Sequence, residues 1–211
     1  IKGLKIEGDG SAEVINGGEH SDYLDGGGGN DKLRGKNGND TILGGIGNDA
    51  ILGGNGNDQL NGGEGIDTVF FSGKSNVVKL FTTKKQNTKD GKDTLIGIEN
   101  VSAGSGNDKV YGSKGSNVID GGTGNDLLVG GKGNDRLIGG KGKDIFKLSK
   151  GEGYDLIQDF ENKKDKIFIG SSNKIKLENE SNYVFIYKGK DLLAKVKGAA
   201  EELSKLGKYL V

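Results

Sequence analysis

The sequence predicts an all-β protein built as a right-handed parallel β-roll, a solenoid of short strands joined by glycine-rich turns. A nine-residue unit, G-G-x-G-x-D-x-U-x with U a large apolar residue, recurs through much of the chain. The 211 residues include 42 glycines, no proline and only 31% apolar residues, too few for a thick conventional core. A nine-residue spacing fits neither a helical face nor an alternating strand, so the repeat itself is the expected structural unit.

The unit occurs in two blocks, at residues 17–70 and 103–147, and a degenerate copy at 8–16 leads into the first. Position 6 is Asp in ten of the eleven copies and Asn117 in the other. Position 8 is apolar in every copy: Leu24, Leu33, Ile42, Ile51, Leu60, Val69, Val110, Ile119, Leu128, Leu137 and Phe146. This regularity predicts a six-residue turn and a three-residue strand per unit, with position 8 directed inward.

Two units would make one coil, so each turn should lie over the turn 18 residues away. The expected stacks are Asp22–Asp40, Asp31–Asp49, Asp40–Asp58, Asp49–Asp67, Asp108–Asp126, Asn117–Asp135 and Asp126–Asp144. Stacked carboxylates repel unless a cation lies between them. Glycines allow backbone carbonyl oxygens to approach the same gap, and a set of oxygen ligands without His or Cys selects Ca²⁺ over Mg²⁺.

These units resemble the calcium-binding nonapeptide repeat of RTX (repeats-in-toxin) proteins. The resemblance implies that Ca²⁺ ions lie between stacked turns, bound by the position-6 side chains and by turn carbonyls. The side-chain ligands implied are Asp22, Asp31, Asp40, Asp49, Asp58, Asp67, Asp108, Asn117, Asp126, Asp135 and Asp144. The glycines implied are Gly27, Gly29, Gly38, Gly45, Gly47, Gly54, Gly56, Gly63, Gly65, Gly104, Gly106, Gly122, Gly124, Gly131, Gly133, Gly140 and Gly142. Lys36 and Ser113 replace glycine at position 2, which is expected to weaken their sites.

The remaining segments interrupt or close the roll. Residues 1–16 are expected to form a degenerate leading repeat or cap, and residues 71–102 a strand-and-loop insert within one elongated solenoid, or else a linker between two rolls. Residues 148–211 predict a β-rich cap with a short amphipathic helix at 199–211. Within this region Asp155 and Asp165 match acids that bind a terminal calcium in related RTX proteases; ordinary surface acids are the alternative.

The expected function is cooperative Ca²⁺ binding coupled to folding, with no enzymatic activity. The RTX resemblance adds secretion through type I machinery from a bacterium, with folding outside the cell. Alternatives are a polysaccharide-binding module or a structural spacer of a larger extracellular protein. Lysines and arginine on the second block, notably Lys132, Arg136 and Lys141, balance charge or bind an acidic polysaccharide.

Composition excludes several other classes. Residues 1–72 carry five Lys or Arg against twelve Asp or Glu, which argues against a nucleic-acid partner. The chain has no Cys and a single His, and it lacks an apolar run long enough to span a membrane. Nucleophile and zinc-protease motifs are absent, so the periodic carboxylates point to a metal rather than to catalysis.

Overall fold

The structure, a computed structural model, describes residues 3–73, 75–149, 153–170, 175–180, 182–197, 203, 205–206 and 209–210. These residues form 24 β-strands and no helix. The chain winds into a parallel β-solenoid of about nine turns, which confirms the predicted fold class. Among the described residues, no helix has the length and hydropathy needed to cross a membrane.

The strands, numbered in chain order, form three sheets. Sheet 1 contains, in spatial order, β1 (Lys5–Glu7), β3 (Tyr23–Asp25), β5 (Thr41–Ile46), β7 (Gln59–Glu64), β11 (Lys92–Ile96) and β10 (Gln86–Asn87). Sheet 2 contains β2 (Val14–Asn16), β4 (Lys32–Asn37), β6 (Ala50–Asn55), β8 (Thr68–Phe70), β12 (Asn100–Ser102), β14 (Val118–Asp120), β16 (Arg136–Ile138), β18 (Asp155–Ile157), β22 (Asp191–Lys197), β21 (Tyr183–Lys188) and β20 (Ile175–Glu180). Sheet 3 contains β23 (Lys205–Leu206), β24 (Tyr209–Leu210), β19 (Lys166–Phe168), β17 (Ile145–Lys147), β15 (Leu127–Val129), β13 (Lys109–Tyr111) and β9 (Val77–Lys79).

The strand register repeats every two units, as the sequence predicts. In sheet 1, Leu24 pairs with Ile42, and Ile42 pairs with Leu60. In sheet 2, Ile119 pairs with Leu137. Every paired residue in these stacks is 18 positions from its partner, so successive units alternate between the two walls of the solenoid.

The core is a ladder of inward side chains between the two walls. All eleven position-8 residues are buried, with exposed fractions of 1% or less. Val78, Leu95, Val101, Ile157 and Ile167 continue the ladder outside the two repeat blocks. Each coil contributes only a few apolar side chains, so the core stays thin along its whole length.

Sheet 2 runs through both repeat blocks without a break, because β12 pairs with β8 on one side and β14 on the other. The expectation of one elongated solenoid is therefore confirmed, and the alternative of two separate rolls is wrong. On the opposite wall, sheet 1 ends at β11 and β10, and sheet 3 begins at β9. The chain passes forward from β8 to β9, returns through β10, and re-enters the solenoid at β11 and β12.

The C-terminal region closes the solenoid with antiparallel strands. First β18 and β19 add two more parallel rungs, and then β20, β21 and β22 extend sheet 2 as an antiparallel meander. The helix predicted at 199–211 is not found where this segment is described. There β23 and β24 pair antiparallel, and β24 pairs with β19; the other residues of the predicted helix lie outside the described residues. Pairing with the exposed edge of β19 supplies hydrogen bonds that override the helical periodicity.

Candidate metal sites

The position-6 side chains stack along both edges of the solenoid. In each stack the backbone N–H of one residue donates to the Oδ1 atom of the side chain one coil later. The donor–acceptor distances are 2.8 Å for Asp31 to Asp49, 2.9 Å for Asp40 to Asp58 and 2.8 Å for Asp49 to Asp67. The same bond joins Asp22 to Asp40, Asp108 to Asp126, Asn117 to Asp135 and Asp126 to Asp144. All seven predicted stacks are confirmed.

The stacks also include residues that the sequence analysis did not assign to them. The Asp58 N–H donates to Asp93 at 2.8 Å, and the Asp67 N–H donates to Glu99 at 2.9 Å. At the N-terminal end, the Glu13 N–H donates to Asp31 at 2.8 Å. The signal was present in the segments DTLIG and ENVSA, which place an acid two residues before an inward Leu95 or Val101. The irregular spacing of the insert concealed it.

The two acids proposed from the closing segment also join the stacks. Asp165 Oδ1 accepts from the Asp144 N–H at 2.9 Å, and its Oδ2 accepts from the Glu161 N–H at 2.8 Å. Asp155 accepts a hydrogen bond from the backbone of Asp135. Their exposed fractions are 3% and 6%, so both acids are buried in the stacks; their role as calcium ligands stays a prediction.

One carboxylate oxygen in most of these stacked residues has no partner. The atoms are buried and find no hydrogen-bond donor among the described residues: Oδ2 of Asp31, Asp40, Asp49, Asp58, Asp67, Asp108, Asp126, Asp135 and Asp144, and Oε2 of Glu13. A buried anionic oxygen without a donor is costly. Its recurrence at the same position of successive coils fits a cation in each gap.

Backbone carbonyls approach the same gaps from the glycine turns. A Cβ atom placed on Gly44 would lie 2.3 Å from Asp49 Oδ2 and 2.3 Å from the Gly62 carbonyl oxygen. A Cβ on Gly47 would lie 1.7 Å from the Gly29 carbonyl oxygen. All the glycines implied by the RTX resemblance adopt positive φ, so a side chain larger than hydrogen would be strained there by its backbone conformation. Lys36 adopts φ of 78° at position 2.

Burial raises the pKa of eleven stacked carboxyls: Asp40, Asp49, Asp58, Asp67, Asp93, Asp108, Asp126, Asp135, Asp144, Asp155 and Asp165. Loss of hydration is the largest cause, and neighbouring carboxylates add to it, while the backbone N–H donors partly oppose it. The pKa reaches about 7 at Asp58 and Asp144 and about 6 at Asp67 and Asp108. At Asp155, burial and the adjacent Asp135 raise it to about 8. Near neutral pH the metal-free stacks therefore hold carboxylates whose ionisation the fold opposes.

The donor set of each gap fits a hard cation. No group of three or more His, Cys, Asp or Glu side chains that could hold a metal occurs among the described residues. Carboxylate and turn carbonyl oxygens do lie close together, as Asp49 Oδ2 and the Gly62 carbonyl oxygen do around Gly44, and the RTX resemblance implies a second carboxylate from the stacked turn. Oxygen-only ligation in a flexible backbone cage is typical of Ca²⁺.

The model of the RTX calcium-binding nonapeptide repeat matches the chain in four copies, at residues 7–42, 34–69, 93–128 and 120–157. The chain belongs to the RTX calcium-binding repeat family. The third and fourth matches begin and end outside the blocks read from the sequence, and they include Asp93, Glu99 and Asp155. RTX repeats bind Ca²⁺, so the chain is a β-roll that binds several Ca²⁺ ions. No curated protein matches the chain.

In this RTX roll, the gap between the Glu99 and Asn117 turns is bridged by an amide side chain in place of two carboxylates. The Asn117 side chain accepts from the Ser113 N–H at 2.7 Å and donates from Nδ2 to the Glu99 carbonyl oxygen at 2.6 Å. Both ends of the amide are satisfied without a cation. Asn76, at the first rung of sheet 3, similarly donates to the Ala103 carbonyl oxygen at 3.1 Å. The middle of the roll is therefore joined by neutral hydrogen bonds at positions where other coils have carboxylates.

The three residues predicted as a polyanion site do not lie together. Arg136 lies on the outer face of sheet 2, whereas Lys132 lies beside Tyr111 and Val129 on the outer side of sheet 3. Lys141 lies on the opposite edge, where its backbone bridges Thr123. The structure thus distributes these cations over separate surfaces.

Proposed function

We propose that this RTX roll is an extracellular bacterial module that stays unfolded in the cell, is exported by type I secretion machinery and folds when it meets Ca²⁺ outside. Its role in this proposal is binding and folding, with no catalysis. The recurring buried carboxylate oxygen without a donor is the observation that carries the proposal.

The energetics of one coil support coupling between metal and fold. Each strand of the repeat, three or six residues long, buries one large apolar side chain at position 8, while ordering its glycine turn costs much conformational entropy. The stacked carboxylates add repulsion and desolvation. Without Ca²⁺, the apolar burial in a coil does not offset these costs. Bound Ca²⁺ neutralises the carboxylate charge and crosslinks two turns.

The difference in Ca²⁺ concentration between the cytosol and the extracellular space would determine where the chain folds. Extracellular calcium modules bind at about 10⁻⁴ to 10⁻³ M. Cytosolic calcium is far below that range, so a chain with such sites would remain unfolded before export. The expected ligand set is the stacked carboxylates named above, without the Asn117 amide, extended by Glu13, Asp93 and Glu99, together with the turn carbonyls.

The test is a far-UV circular dichroism titration of the metal-free chain with Ca²⁺, with Mg²⁺ in parallel. We expect a steep coil-to-β transition with Ca²⁺ only. Asp49→Asn, which removes a carboxylate shared by two gaps, should raise the midpoint by about fivefold to thirtyfold, the equivalent of about 1–2 kcal/mol. The matched control is Glu64→Gln, an exposed residue at the end of β7, which should leave the midpoint unchanged. A β spectrum that is complete in EDTA and insensitive to Ca²⁺ would exclude coupled folding.

A structural spacer is the second function proposed, because sheet 2 continues through eleven strands without a break. A rod of this kind would separate neighbouring domains at a distance set by Ca²⁺. Small-angle scattering with and without Ca²⁺ tests it: an elongated particle of constant length in Ca²⁺ supports a spacer, and a compact or bent one contradicts it.

A further inference from the structure

A cleft of about 820 Å³ lies on the outer face of sheet 2, near its C-terminal end. Its volume falls in the range of ligand-binding sites. One side is the solenoid edge where Ser116, Asn134 and Tyr154 follow one another, and the far side is formed by Tyr183 and Phe185 of the antiparallel meander. The cleft is separate from the interior core, and neither repeat periodicity nor calcium ligation accounts for it.

The floor of the cleft is a single row of outward side chains that crosses six paired strands. Strand register places in this row Val118, Arg136, Leu156, Lys195 and Phe185, and Asn100 joins it through the hydrogen bond from the Val118 N–H. At the usual spacing between strands the row is roughly 24 Å long. Two carboxylates lie at the far end of the row: Glu178, which pairs with Phe185 and forms an ion pair with Lys176, and Glu180, which lines the cleft beside Tyr183. The part of the row from Val118 to Lys195 contains two cations and no carboxylate, so this part fits an extended ligand with negative charges.

Aromatic rings surround the second cation of the row. The Lys195 ammonium lies 4.6 Å from the ring centroid of Tyr154 and 5.4 Å from that of Phe185. Tyr183 packs beside Phe185 with ring centroids 6.4 Å apart. These contacts fix the lysine and leave half-buried aromatic surface along the cleft.

The polar groups of the cleft are held in place by the solenoid. Asn100 Oδ1 accepts from the Val118 N–H at 2.8 Å, and Asn134 Oδ1 accepts from the Tyr154 N–H at 3.0 Å. Each amide therefore keeps its NH₂ group as a donor for a ligand. Arg136 is exposed and forms no close ion pair with any described residue; Asp120, on the adjacent strand, is the acid that its charge influences. A planar guanidinium in this position suits a carboxylate.

We propose that this cleft binds an extended acidic saccharide, with sugar carboxylates on Arg136 and Lys195 and the apolar faces of sugar rings against Tyr154, Tyr183 and Phe185. Saccharides combine flat apolar faces with a polar rim, which matches a row of rings, amides and cations. An acidic peptide fits less well. Strands on both sides already pair with the strands of the floor, so no free edge is available for a peptide to add as a strand.

The cleft also depends on the calcium-bound fold. Asp135 and Asn117 lie along it and belong to one stack of position-6 residues. Because Asn117 is neutral where other coils have Asp, the cleft is less acidic than the rest of this edge. The neutral Asn117 side chain, and Asp135 once bound Ca²⁺ has neutralised it, both favour an anionic ligand in the cleft.

The test is isothermal titration of the Ca²⁺-saturated chain with tetragalacturonate, with cellotetraose as the neutral saccharide and tetraglutamate as the acidic peptide. We expect binding of tetragalacturonate alone. Arg136→Gln should weaken it by about tenfold or more, because a charge-assisted contact is lost, and Tyr183→Ala should weaken it as well. Lys141→Gln, on the opposite edge, is the matched control and should bind as the parent chain does.

Tetragalacturonate itself takes up Ca²⁺, so all variants are compared at the same free Ca²⁺. Circular dichroism in Ca²⁺ confirms that each variant is folded; if Arg136→Gln fails to fold, Lys195→Gln replaces it. Absence of tetragalacturonate binding would overturn the proposal. So would equal loss in Lys141→Gln, or tetraglutamate binding that depends on Arg136 in the same way, which would assign the cleft to an acidic peptide.

Discussion

The side-chain amide of Gln86 pairs with the backbone of Lys79 as a peptide group would. Gln86 Oε1 accepts from the Lys79 N–H at 2.6 Å, and Nε2 donates to the Lys79 carbonyl oxygen at 2.9 Å. The Gln86 backbone pairs with Asp93 at the end of sheet 1, while Lys79 lies in the first strand of sheet 3. One buried side chain therefore joins the two sheets where the chain order is interrupted.

Replacement of Gln86 should loosen this junction. Gln86→Ala removes both hydrogen bonds and leaves the Lys79 groups to water, so we expect the junction to lose about 1–3 kcal/mol. Gln86→Glu keeps an acceptor but loses the donor, and we expect it to be no better than alanine. The measurement is amide hydrogen exchange in saturating Ca²⁺, which should be faster across residues 76–96 and unchanged in strands β3 to β6. The control is Lys85→Ala at an exposed neighbour, and equal exchange in the two variants would refute the bridging role.

The pairs around this junction could not be predicted from the sequence, whereas the regular coils could. Leu24, Ile42 and Leu60 could be placed because their spacing of 18 repeats, and the same spacing located the stacked acids. Leu60 pairs with Leu95 and Val69 with Val101 across irregular distances of 35 and 32 residues. No fixed period reveals such pairs. Pairing through the Gln86 side chain lies outside backbone periodicity altogether, and the three-dimensional register alone determines it.

Replacement of Asn117 by aspartate should change how many Ca²⁺ ions the middle of the roll binds. Its amide donates to the Glu99 carbonyl oxygen, and a carboxylate in its place would lose that bond and add negative charge beside Glu99. Asn117→Asp should therefore destabilise the metal-free middle of the roll and create a gap that requires Ca²⁺. We expect one additional Ca²⁺ by equilibrium dialysis and a steeper calcium titration. Asn125→Asp, an exposed Asn in a neighbouring turn, controls for the added charge; the same calcium count in both variants and the parent would contradict the interpretation.

The raised carboxyl pKa values predict an inverse pH dependence for the metal-free chain. Asp58 and Asp144 have a pKa of about 7 in the folded chain, against an unfolded value near 4. Between these values the folded chain binds more protons than the unfolded chain, so its stability falls as the pH rises. Circular dichroism in metal-free buffer should show more β structure at about pH 4.5 than at about pH 8.

The variants Asp58→Asn and Asp144→Asn separate this effect from general charge repulsion. Each removes one titrating carboxyl, and together they should flatten the pH profile. The protons compete with Ca²⁺ for the same oxygens, so the calcium midpoint should also rise as the pH is lowered. Metal-free β structure that increases toward pH 8 would show that the stacked carboxyls are ionised in the fold without penalty.

Two glycines at position 4 of the repeat predict opposite outcomes for the same substitution. Gly47 adopts φ of 139°, and a Cβ there would lie 1.7 Å from the Gly29 carbonyl oxygen. Gly47→Ala should therefore displace a turn carbonyl from its gap, cost more than about 2 kcal/mol in Ca²⁺, and raise the calcium midpoint. Gly115 does not adopt positive φ. A Cβ atom placed on it would have Ser113 Oγ, 3.8 Å away, as its nearest neighbour. Gly115→Ala should leave the midpoint unchanged, because its turn is held by the Asn117 amide. Thermal unfolding and calcium titration of both variants provide the comparison, and equal loss in the two would mean that backbone freedom, rather than carbonyl geometry, explains the glycines.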